Sequence, residues 1–226
     1  MTLDVLRDFS VCISETSSGY KIKAPQKYIE PDSPRVQGDW SNAAFFLCAG
    51  ALGGETEITG LSLDSRQSDR ALTDILKAFG ADIKCGSSVS VCKSELFGIT
   101  VDISQCPDLF PTLAVTACAA HGDTVFTNAA RLRIKESDRI ESVEKMITSL
   151  GGFAESTPDS LTVHGTGTLA GGEVNSFNDH RIVMAAAVAA CICESPVVIR
   201  DAQAVNKSYP DFFEDYKKLG GKADVI

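Results

Sequence analysis

No stretch of about 18 uninterrupted apolar residues occurs in the 226-residue chain, and its most hydrophobic helix-like run, residues 182–193, is too short to cross a bilayer. The first residues lack the charged-then-apolar pattern of a secretory leader. The expectation is a soluble, cytoplasmic protein with no membrane contact. Cations are also scarce. Lys and Arg number 21 against 30 Asp and Glu, the formal net charge is −9, and no basic block is long enough to neutralise a string of phosphates. Nucleic acid is therefore a poor fit, whereas a small anion held by a few local cations is not excluded. The eight cysteines include no Cys-x-x-Cys pair and mostly fall inside apolar runs. They read as reduced thiols packed as small hydrophobes, neither zinc ligands nor disulfides, and no metal is expected. What is present in quantity is apolar residue, 44% of the chain, enough for a substantial core.

The chain repeats itself. One plan runs from "GDWSNAAFFLCAGALGGETEITGL" to "SDRALTDILKAFGADI", again from "CPDLFPTLAVTACAAHGDTVFTNA" to "SDRIESVEKMITSLGGFA", and a third time from "NDHRIVMAAAVAACICESPVVIRDA" to "YPDFFEDYKKLGGKADV". Asp39, Asp108 and Asp179 open the three copies about 70 residues apart, each placed to cap a helix. A helix of small apolar residues follows, then a β-branched strand, a polar loop, an amphipathic helix closed by glycine, and two short alternating strands. In the second copy Ile140, Val143, Ile147 and Leu150 mark the apolar face of that second helix. The predicted fold class is α/β (α+β), with repeated β-α-β-α-β-β units at about 36–100, 101–173 and 174–226. Residues 1–35 stand apart, because "LDVLRDFSVCISETSSGYKI" overlays "LTDILKAFGADIKCGSSVSV" from the middle of the first unit. They read as the last piece of a preceding domain, a half-unit unable to bury its own apolar face and dependent on a segment upstream or on another chain.

Charge concentrates in "RLRIKESDRI", residues 131–140, which holds three arginines, a lysine, a glutamate and an aspartate. The same place in the other units carries "DSRQSDR" and "VNKSYPDFF", and the starts of the apolar helices carry "GDW", "PDL" and "NDHR". Repeats packed side by side would bring Lys135, Glu136, Arg139, Arg181 and Lys207 to one face. Arg139 and Arg181 fall in the first turn of predicted helices, where the positive helix end disfavours a cation by about 0.3–1 kcal/mol. An anion bridging the guanidinium groups would make sense of that placement. The alternative is that Asp138 and Asp179 only cap helices while the arginines are solvated or paired with them. Glu136 and Asp108 are candidate acid–base groups, or a loop residue and an N-cap; His180 beside Arg181 is equally open between capping turn and chemistry.

Four stretches in this order, "GDWSNAAFFL", "LRIKESDR", "NDHRIVMA" and "NKSYPDFF", resemble the signatures of the 5-enolpyruvylshikimate-3-phosphate synthase family, in its C-terminal half. The resemblance covers nearly the whole chain. It implies an inverse α/β barrel of the enolpyruvyl transferase type, in a family whose members have two such domains. It implies transfer of the enolpyruvyl group of phosphoenolpyruvate to the 5-hydroxyl of shikimate 3-phosphate, in the shikimate pathway of aromatic amino acid biosynthesis, with no cofactor. By the same resemblance Arg139, Arg181 and Lys207 match cations that bind phosphoenolpyruvate. Glu136 matches the group exchanging a proton with its methylene carbon, Asp108 the carboxylate at the shikimate hydroxyls, and Lys135 and His180 residues lining the cleft. The family's N-terminal half is absent, so the chain is expected to be inactive alone. Two alternatives carry less weight: a non-catalytic, anion-binding or self-associating module of this fold, and the UDP-N-acetylglucosamine enolpyruvyl transferase, which lacks this combination of motifs.

Overall fold

The structure is a computed structural model that describes residues Met1–Ile226. A short N-terminal segment forms α1 (Thr2–Asp8) and the hairpin β1 (Ile13–Thr16) and β2 (Gly19–Ile22), and residues 23–39 then run without regular structure. The first unit follows: α2 (Trp40–Gly53), β3 (Glu55–Thr59), α3 (Leu72–Phe79), β4 (Asp82–Cys85) and β5 (Ser88–Cys92). The second comprises β6 (Thr100–Asp102), α4 (Phe110–Cys118), β7 (Gly122–Thr127), α5 (Arg139–Ser149), β8 (Phe153–Thr157) and β9 (Ser160–Gly165). The third comprises β10 (Gly172–Asn175), α6 (His180–Ala189), β11 (Val197–Arg200) and α7 (Phe212–Lys218).

The order of elements follows the repeat, but only the middle unit holds all six. Residues 36–38 form no strand ahead of α2, and no hairpin follows α7. The sheets record the difference. The second unit builds the four-stranded order β6-β7-β9-β8, the first has β3-β5-β4, and the third has only the parallel pair β10-β11.

Three helices, α2, α4 and α6, pack on one another at the centre, with the sheets and amphipathic helices outside them. Composition explains this inversion. Every residue of α4 and of α6 is buried, and α2 buries Ala43, Ala44, Phe45, Leu47, Cys48, Ala51 and Leu52. A helix apolar all round has no solvent face and must sit inside, and the many alanines let the three axes approach closely. The outer helices have one apolar stripe each. Ile140, Val143, Met146, Ile147 and Leu150 of α5 and its C-terminal turn are no more than 1% exposed, while Glu141, Glu144 and Lys145 face outward or to the rim. Close approach also fixes one glycine: a Cβ at Gly165, where β9 passes the end of α4, would meet the Ala120 carbonyl oxygen at 1.9 Å.

The cysteines depart from expectation in part. All eight are free, but only Cys48, Cys106 and Cys118 are buried, whereas Cys12, Cys85 and Cys191 are exposed at strand and helix ends. Burial pushes the Cys118 thiol up to about 12 and Cys106 to about 11, which keeps them in the inert protonated form. No helix is long and apolar enough to cross a membrane.

Candidate active site

Asp39 and Asp179 cap α2 and α6, their carboxylates accepting from the Ser41 and Arg181 amides at 3.0 and 2.9 Å. Asp138 caps α5 by accepting from the Glu141 amide at 3.1 Å. Each cap satisfies an amide the helix leaves unpaired. Asp108, in the corresponding place of the second unit, does otherwise. It lies in a one-turn 3-10 helix, Pro107–Leu109, and its side chain makes no cap bond. That frees the carboxylate to face the start of α5 in its own unit and the start of α6 in the next. Its Oδ1 accepts from Arg139 Nη1 at 2.7 Å and lies 3.5 Å from Lys135 Nζ, and its Oδ2 accepts from Arg181 Nη2 at 3.1 Å.

The starts of α5 and α6 thus meet at one point. Arg139, the first residue of α5, is 2% exposed and sits among three carboxylates: Asp108, Glu136 Oε2 at 2.7 Å from Nη2, and Asp179 Oδ2 at 2.8 Å from Nε. The unfavourable helix-end position of this cation is offset by charge-assisted bonds on every face of the guanidinium. Ser137 donates to the same Asp179 oxygen at 3.1 Å. Lys207 arrives from the third unit, its ammonium donating to the Asn178 carbonyl immediately before the α6 cap. The seven residues singled out by sequence therefore lie around the starts of α5 and α6. Asp179, which the sequence offered as a helix cap and as one possible partner for the arginines, is fully buried and bonded to Arg139. The available signal was arithmetic: two arginines at helix starts need counter-charge, and the cap of α6 takes the Arg139 guanidinium while Asp108 takes those of both Arg139 and Arg181.

The first unit contributes nothing comparable. There Gln67 donates to Asp39 Oδ1 at 2.6 Å and to Ser41 at 2.8 Å, Ser41 donates to the buried Asp69, and Arg66 turns away to Asp4 at 3.5 Å. That loop closes on itself through neutral amide and hydroxyl groups.

Burial pushes the Asp108 carboxyl up, but Arg181, Arg139 and Lys135 outweigh it and hold it below its usual range. Asp179 is likewise raised by burial and then taken below its usual range, chiefly by the hydrogen bond from Arg139. Both are carboxylates at neutral pH. Burial lowers the His180 imidazole, with Glu136 pulling it back up and Arg181 pushing it further down. Its Nδ1 lies 3.3 Å from Glu136 Oε2 without hydrogen-bond alignment, so this buried nitrogen has no partner. A depressed histidine value has a thermodynamic consequence. The stability contributed by the neutral ring is full above its ordinary value of 6.5 and is lost as pH falls from there through the lower folded value, because the unfolded chain binds the proton more readily. The urea midpoint is expected to drop between about pH 7.5 and about pH 5.5, and to drop less in His180→Asn. Equal drops in both proteins would remove His180 from the account.

Glu136, Asp179 and His180 offer donor atoms within 4.8 Å of one another, a spacing a metal ion can use. Asp179 is already engaged by Arg139, Ser137 and an α6 amide, and two guanidiniums stand in the same cluster. A divalent cation would be repelled by them. Two helix starts with four cations, Lys135, Arg139, Arg181 and Lys207, beside the carboxylates of Asp108 and Glu136 instead suit a multiply charged anion.

Residues 1–216 match the family model of EPSP synthase (3-phosphoshikimate 1-carboxyvinyltransferase). Among curated relatives, the 3-phosphoshikimate 1-carboxyvinyltransferase of Clostridium novyi (strain NT) is 46% identical over 228 residues, covering 99% of this chain and 52% of that protein. The same enzyme of Clostridium kluyveri is 44% identical over 226 residues, covering 99% and 53%. The chain spans about half the length of the curated relatives it matches. Among solved structures, EPSP synthase from Acinetobacter baumannii superposes with a TM-score of 0.87 at 28% identity, over 98% of this chain and 54% of that one. The enolpyruvyl transferase NikO from Streptomyces tendae shares the fold, with a TM-score of 0.74 at 20% identity.

Proposed function

The chain belongs to the EPSP synthase family, and on that premise we propose that it supplies the phosphoenolpyruvate-handling half of a cytoplasmic enolpyruvyl transferase acting on shikimate 3-phosphate. The observation that carries the reading is the convergence on Arg139 of Asp108, Glu136 and Asp179, with Arg181, Lys135 and Lys207 around them.

The chemistry asks for these groups. Enolpyruvyl transfer protonates C3 of phosphoenolpyruvate while the 5-hydroxyl of shikimate 3-phosphate adds to C2 and loses its proton, forming a tetrahedral ketal. The proton then leaves C3 again as the C–O bond to phosphate breaks. Arg139, Arg181 and Lys207 are assigned to the carboxylate and phosphate, whose charge persists through every step and is stabilised by pre-aligned donors. Glu136, at the rim of the cluster with one oxygen on Arg139, is assigned the proton exchanged with the methylene carbon. Asp108, held ionised by its three cations, is assigned the hydroxyl that attacks. Lys135 and His180 line the cleft. Proton traffic and anion binding together complete the cycle without redox or Lewis-acid chemistry.

The remaining walls of the cleft and the partner domain are assigned to the half of the family's length that this chain does not span. The chain alone is expected to release no phosphate from phosphoenolpyruvate plus shikimate 3-phosphate, because an open cleft leaves water in the site. Mixing it with a separately produced N-terminal half of a family member is expected to restore release. Turnover by the chain alone would overturn the division of labour; a folded mixture without turnover would overturn the assignment of substrates.

A further inference from the structure

Two of the three arginines in "RLRIKESDRI" take no part in the cluster around Asp108 and Asp179. Arg131 is exposed, but Arg133 is bonded through all three nitrogens of its guanidinium. Nη1 donates to Asp138 Oδ2 at 2.9 Å, Nε to the Pro158 carbonyl at 3.0 Å and Nη2 to the Thr157 carbonyl at 2.5 Å. Asp138 is the cap of α5, and Thr157 and Pro158 lie at the turn between β8 and β9. The same turn takes two further bonds from the start of the loop. The Ala129 amide donates to the Asp159 carbonyl at 3.0 Å and the Ala130 amide to Asp159 Oδ1 at 2.6 Å. Arg133 thus joins the far end of the loop to the anchor already made at its near end.

Between those ends lie Lys135 and Glu136. The amides of Glu136, Ser137 and Asp138 bond to no other backbone group, so side chains fix the path of the chain here. Glu136 is held on Arg139 Nη2, Ser137 on Asp179 and Asp138 on Arg133. On the functional reading above, on which this inference rests, Arg139 also receives phosphoenolpyruvate. Substrate then competes with Glu136 for one guanidinium, and Glu136 loses its hydrogen bond when it has to act. Ser137 and the Arg133 tie remain, and only the second reaches outside the cluster that binds substrate.

The tie is not a general feature of the repeat. Arg133 corresponds to Asp64 in the first unit, where the loop before α3 bonds to Asp39, Ser41 and Asp4 and not to the β4–β5 turn. The clamp is found where the loop carries Lys135 and Glu136. Lysine in its place would keep a charge beside Asp138, but one ammonium cannot reproduce the fork that spans a carboxylate and two carbonyls.

We propose that Arg133 is a positioning residue for enolpyruvyl transfer: by tying Asp138 to the β8–β9 turn it keeps Glu136 at the reacting carbon while substrate occupies Arg139. It touches no substrate and moves no proton. Arg139, Arg181 and Lys207 are held by Asp108, Asp179 and Asn178 without it, so its effect falls on the step Glu136 carries out and not on anion binding.

The test is steady-state kinetics of the full chain completed by an N-terminal half of a family member, with Arg133→Ala and Arg133→Lys made in the wild-type and Glu136→Gln backgrounds. Far-UV circular dichroism reports folding; if Arg133→Ala does not fold, Arg133→Lys is read in both backgrounds. In the wild-type background kcat is expected to fall by about 10–100-fold in Arg133→Ala, the scale of a misplacement on the order of 1 Å, and by less in Arg133→Lys. The KM for phosphoenolpyruvate is expected to stay within about threefold. With Glu136→Gln present, the further loss in kcat is expected to be under about threefold, because the residue that Arg133 positions is already disabled. The same fold loss in both backgrounds, or a raised KM with kcat kept, overturns the inference and leaves Arg133 a tie of the fold alone. A wild-type mixture without turnover overturns the functional reading and this inference with it; wild-type turnover with unchanged variants overturns this inference alone.

Discussion

Replacing Asp179 with alanine is expected to cost the fold about 3 kcal/mol, near the lower end of what breaking a buried ion pair costs. The side chain is fully buried and does three things. It accepts from Arg139 Nε at 2.8 Å, from Ser137 at 3.1 Å and from the Arg181 amide at 2.9 Å. Without it a guanidinium that is 2% exposed loses the partner on its Nε face and cannot recover water. Asp108 and Glu136 still hold its other nitrogens, which is why the loss stays at the lower end. Asparagine keeps the capping acceptor but not the charge, and is expected to recover about 1 kcal/mol of the loss. Urea unfolding of the two variants beside the wild type measures both steps. A total loss under about 1 kcal/mol would mean that Arg139 swings out to solvent, as exposed pairs do, and that the cluster is not held by Asp179.

Glu136→Gln is expected to show the opposite profile, a small effect on stability and a large one on turnover. Its side chain is 43% exposed, so the fold should change by no more than about 0.5 kcal/mol. In the enzyme completed by an N-terminal half, kcat should fall by about 10²–10⁴, the usual contribution of a positioned acid–base group. The KM for phosphoenolpyruvate should change much less, since Arg139, Arg181 and Lys207 remain. Exchange of solvent deuterium into the methylene carbon should fall with kcat. A variant that keeps exchange and kcat but binds phosphoenolpyruvate poorly would reassign Glu136 to orienting Arg139.

Much of the site is legible in "RLRIKESDRI" and "NDHR" because capping and charge are local: an aspartate before a helix accepts its amides wherever the helix goes. Asp108 shows the limit of that logic. By sequence it is the equal of Asp39 and Asp179, yet a 3-10 turn containing Pro107 replaces the cap and releases its carboxylate to another unit. Leu219 shows the same limit in the core. Its spacing matches Leu150, yet Leu219 is 57% exposed where Leu150 is fully buried.

By itself the sequence determined the three-fold repetition, the helices that are apolar all round and hence central, the amphipathic ones outside, and the supply of cations at two helix starts. These follow from periodicity and side-chain chemistry over a few turns of chain. Only the tertiary structure decided that Arg139 would meet Asp108 across 31 residues and Asp179 across 40, and that Arg181 would reach Asp108 across 73. The physical reason is that periodicity says which face of an element must be buried and nothing about which neighbour buries it. That choice is made by close packing of α2, α4 and α6, which brings the starts of α5 and α6 together.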